Sequence, residues 1–259
     1  MGCIRVGKGA ALVFVHGFLS GLSYWEKQIE GLSNHFEVIA MDLPGYGGET
    51  ELTGCDKVAD FADAVLARLD AIGISSFHLV GHSMGGMIAQ EIALKAPDRV
   101  NRLVLYGTGP MGDLPGRFEP LETSRQKVLQ DGTEEAKAYT VESWFIKGKQ
   151  DDHYTSGMAL AQPVSLQSYV NALKAMNDWS SVERLSQIQS PTLVVWGDKD
   201  RSYIWQQPHT LWENIDDTNL AVLPGCSHNA HLEKPELFNQ IIRDFLIKNI
   251  GQSGITKDS

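Results

Sequence analysis

The sequence predicts a doubly wound, mostly parallel α/β sheet with a helical insertion. Three observations predict it. Strand-length apolar runs recur along the chain, and they are continuous rather than alternating, as in strands covered on both faces. Segments with apolar residues at spacings of three and four lie between them. One long middle stretch, residues 110–189, holds helical patterns and no convincing strand.

In chain order, residues 11–15 form the first β-branched and aromatic run, which stops at His16-Gly17. Residues 36–40 form the next and stop at Asp42-Leu43-Pro44-Gly45. Val58, Phe61, Val65, Leu66, Leu69 and Ile72 then mark a helix with one apolar stripe. Residues 77–80 form a third run, followed by a small-residue helix over 85–96 that Pro97 ends. Residues 103–106, 192–196 and 220–223 complete the strands. Helical patterns in the middle stretch cover 123–130, 134–146 and 165–179. A last amphipathic helix carries Leu237, Phe238, Ile241, Ile242, Phe245 and Leu246, with Pro235 in its first turn. Strand and helix in alternation imply a doubly wound sheet. The expected division is a core over 1–109 and 190–251, a helical lid over 110–189, and a polar tail over 252–259. Ligands of such sheets bind outside the carboxyl ends of the strands, so a lid there would cover them.

The chain of 259 residues is 42% hydrophobic, enough for one large core. Its formal net charge of −10 repels nucleic acid and anionic membranes, and no basic cluster reverses this locally. Cys3, Cys55 and Cys226 are odd in number and widely spaced, which speaks against a disulfide framework or a thiolate metal site. No apolar stretch approaches the roughly 20 residues of a membrane span, and the start lacks the pattern of a signal peptide. Met1-Gly2-Cys3 hints at acylation, but Val6 stands where the myristoylation motif wants Ser or Thr. The expectation is a reduced, cytoplasmic protein whose partner is a small-molecule substrate; its oligomeric state is not legible. No cofactor is expected: Gly45-Tyr46-Gly47-Gly48 lacks dinucleotide-binding spacing, and no metal-ligating cluster is visible.

The chemistry concentrates on Gly81-His82-Ser83-Met84-Gly85-Gly86, directly after a strand and at the start of a helix. Glycines on either side of Ser83 let the backbone turn sharply and expose the hydroxyl. The helix that starts there aims free N–H groups at developing negative charge, the Met84 N–H among them. A serine hydroxyl is a poor nucleophile without a base, and the base needs an orienting acid. Trp196-Gly197-Asp198-Lys199-Asp200 and Pro224-Gly225-Cys226-Ser227-His228, at the ends of the last two strand runs, supply both types.

With these motifs the chain resembles the α/β-hydrolase superfamily over nearly its whole length. His16-Gly17-Phe18, Asp42-Leu43-Pro44-Gly45-Tyr46-Gly47, the serine turn, Gly197-Asp198-Lys199-Asp200, and His228 followed by Glu233-Lys234-Pro235 and Phe238 carry the resemblance. It implies Ser83 as nucleophile, Asp200 rather than Asp198 as acid, and His228 rather than His231 as base. It also implies that the Phe18 N–H, with Leu19 as alternative, joins the Met84 N–H in an oxyanion hole, and that His16 and His82 are structural. Each such donor is worth on the order of 3 kcal/mol of barrier. Trp144, Phe145, Tyr154, Met158 and Leu160 in the lid are candidates for lining the pocket or for packing the lid on itself; Trp144 and Phe145 are the candidate substrate contacts.

The motifs around Asp200 and Ser83 are also similar to those of meta-cleavage-product hydrolases, which cut carbon–carbon bonds. The chain departs from them in lacking a Gly-Pro-Gly loop after His16 and in carrying Asn229 after His228 where they have Trp. Both regions look closer to simple esterases and enol-lactonases. The expected activity is a serine hydrolase of small carboxylic esters or lactones. Carbon–carbon hydrolysis is the alternative. Cofactor-free oxygen or peroxide chemistry by His228 and Asp200, and ligand binding without turnover, are the readings from other classes.

Overall fold

The computed structural model describes residues 2–112 and 116–247. The expected polar tail lies outside the described residues. Seven strands form one sheet: β1 (Cys3–Val6), β2 (Ala11–Val15), β3 (Glu37–Met41), β4 (Phe77–His82), β5 (Val100–Tyr106), β6 (Thr192–Gly197) and β7 (Thr218–Leu223). Their order is β1-β3-β2-β4-β5-β6-β7, antiparallel only between β1 and β3. The first strand is not expected from the sequence, because its four residues are mostly exposed and form no apolar run.

The helices are α1 (Glu26–Leu32), α2 (Val58–Ala71), α3 (Met84–Lys95), α4 (Leu121–Asp131), α5 (Thr133–Ser143), α6 (Tyr154–Leu160), α7 (Leu166–Asn177), α8 (Gln206–Asn214), α9 (Ala230–Glu233) and α10 (Pro235–Ile247). Side chains alternate across each strand, so the continuous apolar runs feed two cores. Val13, Ile39, Leu79 and Leu103 face one, with Phe61 and Leu69 of α2 and Met87 and Ile88 of α3. Leu12, Phe14, Val38 and Val104 face the other, with Leu32 of α1 and Phe238 and Ile242 of α10.

Helices α4 to α7 occupy the stretch between β5 and β6. Its two ends are stitched together: Met111 and Ser180 form an isolated antiparallel bridge. The Ser181 N–H donates to the Pro110 carbonyl at 2.8 Å, and Ser181 Oγ donates to Gln90 Oε1 of α3 at 2.7 Å. Farther in, the Gln162 N–H donates to the Leu19 carbonyl at 2.8 Å, and Asn171 Nδ2 donates to the Gly54 carbonyl at 2.7 Å. The helical segment is thereby tied to loops that follow β2 and β3, at the carboxyl ends of the strands. No helix among the described residues is long and apolar enough to cross a membrane.

Candidate active site

Ser83 caps α3 with φ 57° and ψ −123°, a left-handed conformation that a non-glycine residue rarely holds. Three contacts enforce it. The Ser83 N–H donates to the Tyr106 carbonyl at 3.0 Å, the Gly86 N–H donates to the Ser83 carbonyl at 2.9 Å, and Thr108 Oγ1 donates to the same carbonyl at 2.8 Å. The side chain is left without a structural duty, at the carboxyl end of β4 and the positive end of α3.

The loop after β2 presses directly against this turn. A Cβ on Gly17 would lie 2.9 Å from Ser83 Cβ. His16 holds the loop: its Nε2 accepts the Leu43 N–H at 3.0 Å, which leaves Nδ1 to donate to the Gly17 carbonyl at 2.8 Å. A trans peptide points its carbonyl and N–H in opposite directions. With the Gly17 carbonyl drawn to His16, the Phe18 N–H points away from that ring. Neither it nor the Met84 N–H donates to a backbone carbonyl among the described residues.

Asp200 lies three residues past β6 and His228 five past β7. His228 Nδ1 donates to Asp200 Oδ2 at 2.9 Å, with both side chains buried. The other carboxylate oxygen, Oδ1, accepts the N–H groups of Ser202 at 2.8 Å and Tyr203 at 3.1 Å. Three donors therefore hold the carboxylate in place, and it fixes the imidazole tautomer in turn. Glu233 braces the His228 loop by accepting the Ser227 N–H at 2.7 Å, while burial raises the Glu233 carboxyl above its ordinary pKa.

The remaining sequence candidates sort clearly. Asp198 accepts the Gly225 N–H at 2.6 Å and so ties two turns together. His82 stacks on Tyr106 with ring centroids 4.6 Å apart, and its Nε2 meets the His228 carbonyl at 3.0 Å. His231 meets the Tyr106 hydroxyl through Nδ1 at 3.1 Å. Trp144 reaches the site, its ring centroid 6.4 Å from that of His228. Phe145 packs inside the helical segment instead, against Gly157 and stacked on His153. The turn that follows α5 sends these two neighbours in different directions. Among the described residues no hydrogen bond of ordinary length joins the Ser83 hydroxyl to the His228 ring. The phenol of Tyr203, whose ring stacks on His228, lies near the Ser83 hydroxyl. Tyr203 was not a candidate from sequence. The signal that could have found it is the Asp200 carboxylate, whose Asx-type turn folds the next three residues back toward it.

Burial holds three of these histidines neutral. It lowers His231 to about 3, His16 to about 4, and His82 well below its ordinary value. The unfolded chain titrates near the reference value of about 6.5, so below that pH it binds protons that the folded protein refuses. Their contribution to stability is complete above about 6.5 and is lost as pH falls toward the folded values. Each such histidine costs on the order of 2 kcal/mol at pH 5. The thermal midpoint is expected to fall by about 10 °C or more between pH 7 and pH 5. A midpoint constant over that range would contradict the neutral burial of these rings.

Comparison with known proteins places the chain in a family. The model of the alpha/beta hydrolase family matches residues 12–241. The 2-hydroxy-6-oxononadienedioate/2-hydroxy-6-oxononatrienedioate hydrolase of Burkholderia vietnamiensis is 33% identical over 91% of this chain and 86% of its own. The 2-hydroxy-6-oxo-6-phenylhexa-2,4-dienoate hydrolase of Comamonas testosteroni is 29% identical over 93% of this chain and 89% of its own. The crystal structure of the enol-lactonase from Burkholderia xenovorans LB400 has the same fold, with TM-score 0.87 over 95% of this chain and 96% of that one, at 22% identity. The chain belongs to the alpha/beta hydrolase family.

Proposed function

We propose that this protein is a serine hydrolase that opens a small carboxylic ester or lactone through an acyl-enzyme on Ser83. The observation that carries the reading is the Asp200–His228 hydrogen bond of 2.9 Å beside a serine held at φ 57°. With Nδ1–H given to Asp200, His228 keeps its Nε2 lone pair for the Ser83 proton. Ser83 Oγ attacks the carbonyl carbon, and the N–H groups of Phe18 and Met84 receive the developing oxyanion. His228 returns its proton to the leaving oxygen, and water repeats the sequence on the acyl-enzyme. Helices α4 to α7 act as the lid, and Trp144 supplies apolar lining over His228.

A second reading is carbon–carbon hydrolysis, favoured by the relative named for a dioate substrate at 33% identity. A panel of aryl esters, lactones and a 2-hydroxy-6-oxodienoate separates the two. The ester and lactone reading expects kcat/KM at least about tenfold higher on esters or lactones, a difference of about 1.4 kcal/mol in barrier. The reverse ranking would overturn it in favour of carbon–carbon cleavage.

A further inference from the structure

Tyr203 has a place that the three-residue machinery leaves unused. It is 3% exposed and follows Asp200 by three residues. Both its backbone groups are fixed: the N–H donates to Asp200 Oδ1 at 3.1 Å, and the carbonyl accepts from Trp196 Nε1 at 2.7 Å. Its ring lies nearly parallel to that of His228, with centroids 5.6 Å apart and planes 14° apart. Its hydroxyl lies near the Ser83 hydroxyl. One ring therefore forms a wall beside the base, with its phenol near the nucleophile. Burial pushes its pKa up to about 12, so it stays a neutral O–H donor wherever an imidazole can act as base. The stack needs only the ring. A buried hydroxyl is costly unless it finds a partner, and no hydrogen bond of ordinary length within the protein is seen for this one among the described residues.

We propose that Tyr203 is a further catalytic residue, whose phenol donates a hydrogen bond to the leaving oxygen of the ester or lactone. This rests on the serine-hydrolase reading above. While the substrate carbon is bonded to Ser83 Oγ, its leaving oxygen must approach His228 Nε2, and a phenol whose ring stacks on His228 with its hydroxyl on the Ser83 side adjoins that oxygen. The oxyanion lies elsewhere, toward Phe18 and Met84. When the tetrahedral adduct collapses, the bond from carbon to leaving oxygen breaks and its electron pair goes to that oxygen. The new O–H bond takes the proton from His228 Nε2. Tyr203 keeps its own proton and stabilises the charge that gathers on the departing atom.

The test is Tyr203→Phe, which keeps the ring and its stack. Two ester series share one acyl group, one with alkyl and one with nitrophenyl leaving groups. Poor leaving groups need the hydrogen bond and good ones do not. The expected result is a fall in kcat/KM of about 10–100-fold on the alkyl esters and less than about threefold on the nitrophenyl esters. The plot of log kcat/KM against leaving-group pKa then becomes steeper. Labelling of Ser83 by a fluorophosphonate, whose fluoride leaves readily, stays within about threefold of the parent rate. A flat or uniform loss across both series, with Ser83 still labelled, overturns the Tyr203 assignment alone. Unlabelled parent enzyme together with an active Ser83→Ala variant overturns the serine-hydrolase reading and this inference with it.

Discussion

Ser83→Ala is expected to remove nearly all turnover, with kcat lower by about a million-fold and a small residue of rate from the oxyanion donors and binding. The fold should survive the change. The Ser83 backbone N–H and carbonyl make the hydrogen bonds that shape the turn, whereas the side chain merely lies near the phenol of Tyr203. Alanine pays the same backbone cost at φ 57° that serine already pays. Steady-state kinetics and a thermal melt on the same preparation check this. A folded Ser83→Ala protein that keeps more than about a hundredth of the parent rate would move the chemistry onto His228 and Asp200 alone, as in cofactor-free oxygen or peroxide reactions.

The second large effect is on the fold. Gly85→Ala should be among the most damaging single-methyl changes in the molecule. The added Cβ would lie 2.3 Å from the Val15 carbonyl oxygen and 2.5 Å from that of His16, both backbone atoms at the end of β2. Neither can yield without moving β2 or α3, so the loop that carries Phe18 moves with them. A cost of about 3 kcal/mol or more follows, equivalent to about 6–12 °C in thermal midpoint. Gly73→Ala is the control. Gly73 has positive φ, at 75°, where Gly85 has none, and nothing lies within 4 Å of its Cβ position, so it carries only the backbone penalty of about 1 kcal/mol. A loss at Gly85 no larger than the loss at Gly73 would contradict the close approach of α3 to β2 as the reason for the glycine.

The parts of the fold that read easily from sequence are those whose apolar pattern follows from burial on two faces. Strands β2 through β6 belong to this group, while helices α2 and α10 read from one apolar stripe, α3 from a nearly fully buried run, and the half-exposed β7 from its apolar residues 220–223. The elements that escaped lack such a pattern. The β1 strand is mostly exposed at the sheet edge. Helix α1 buries only Gln28 and Leu32, and α6 buries only Gly157, so neither has an apolar stripe to read. In the insertion the pattern over 134–146 runs past the end of α5 at Ser143 because Trp144 and Phe145 continue its hydrophobicity into a turn.

The site divides along a similar line. Ser83, Asp200 and His228 sit at fixed offsets from strand ends, so a motif can name them. Phe18 and Met84, the proposed oxyanion donors, follow because that role needs only backbone groups, which any sequence supplies. Tyr203 could not be named the same way. Its importance depends on the Asp200 carboxylate curling the loop back over His228, a tertiary event with no periodicity. The same holds for Trp144 against Phe145, where one residue of turn decides which ring meets His228 and which meets Gly157.

The most direct measurement is the mass of the intact protein after incubation with a fluorophosphonate, followed by peptide mapping. A single adduct on Ser83, lost when His228 is replaced by alanine, is the result required by a hydroxyl made nucleophilic by that imidazole. A folded protein that gains no adduct, or gains one at another residue, would contradict it.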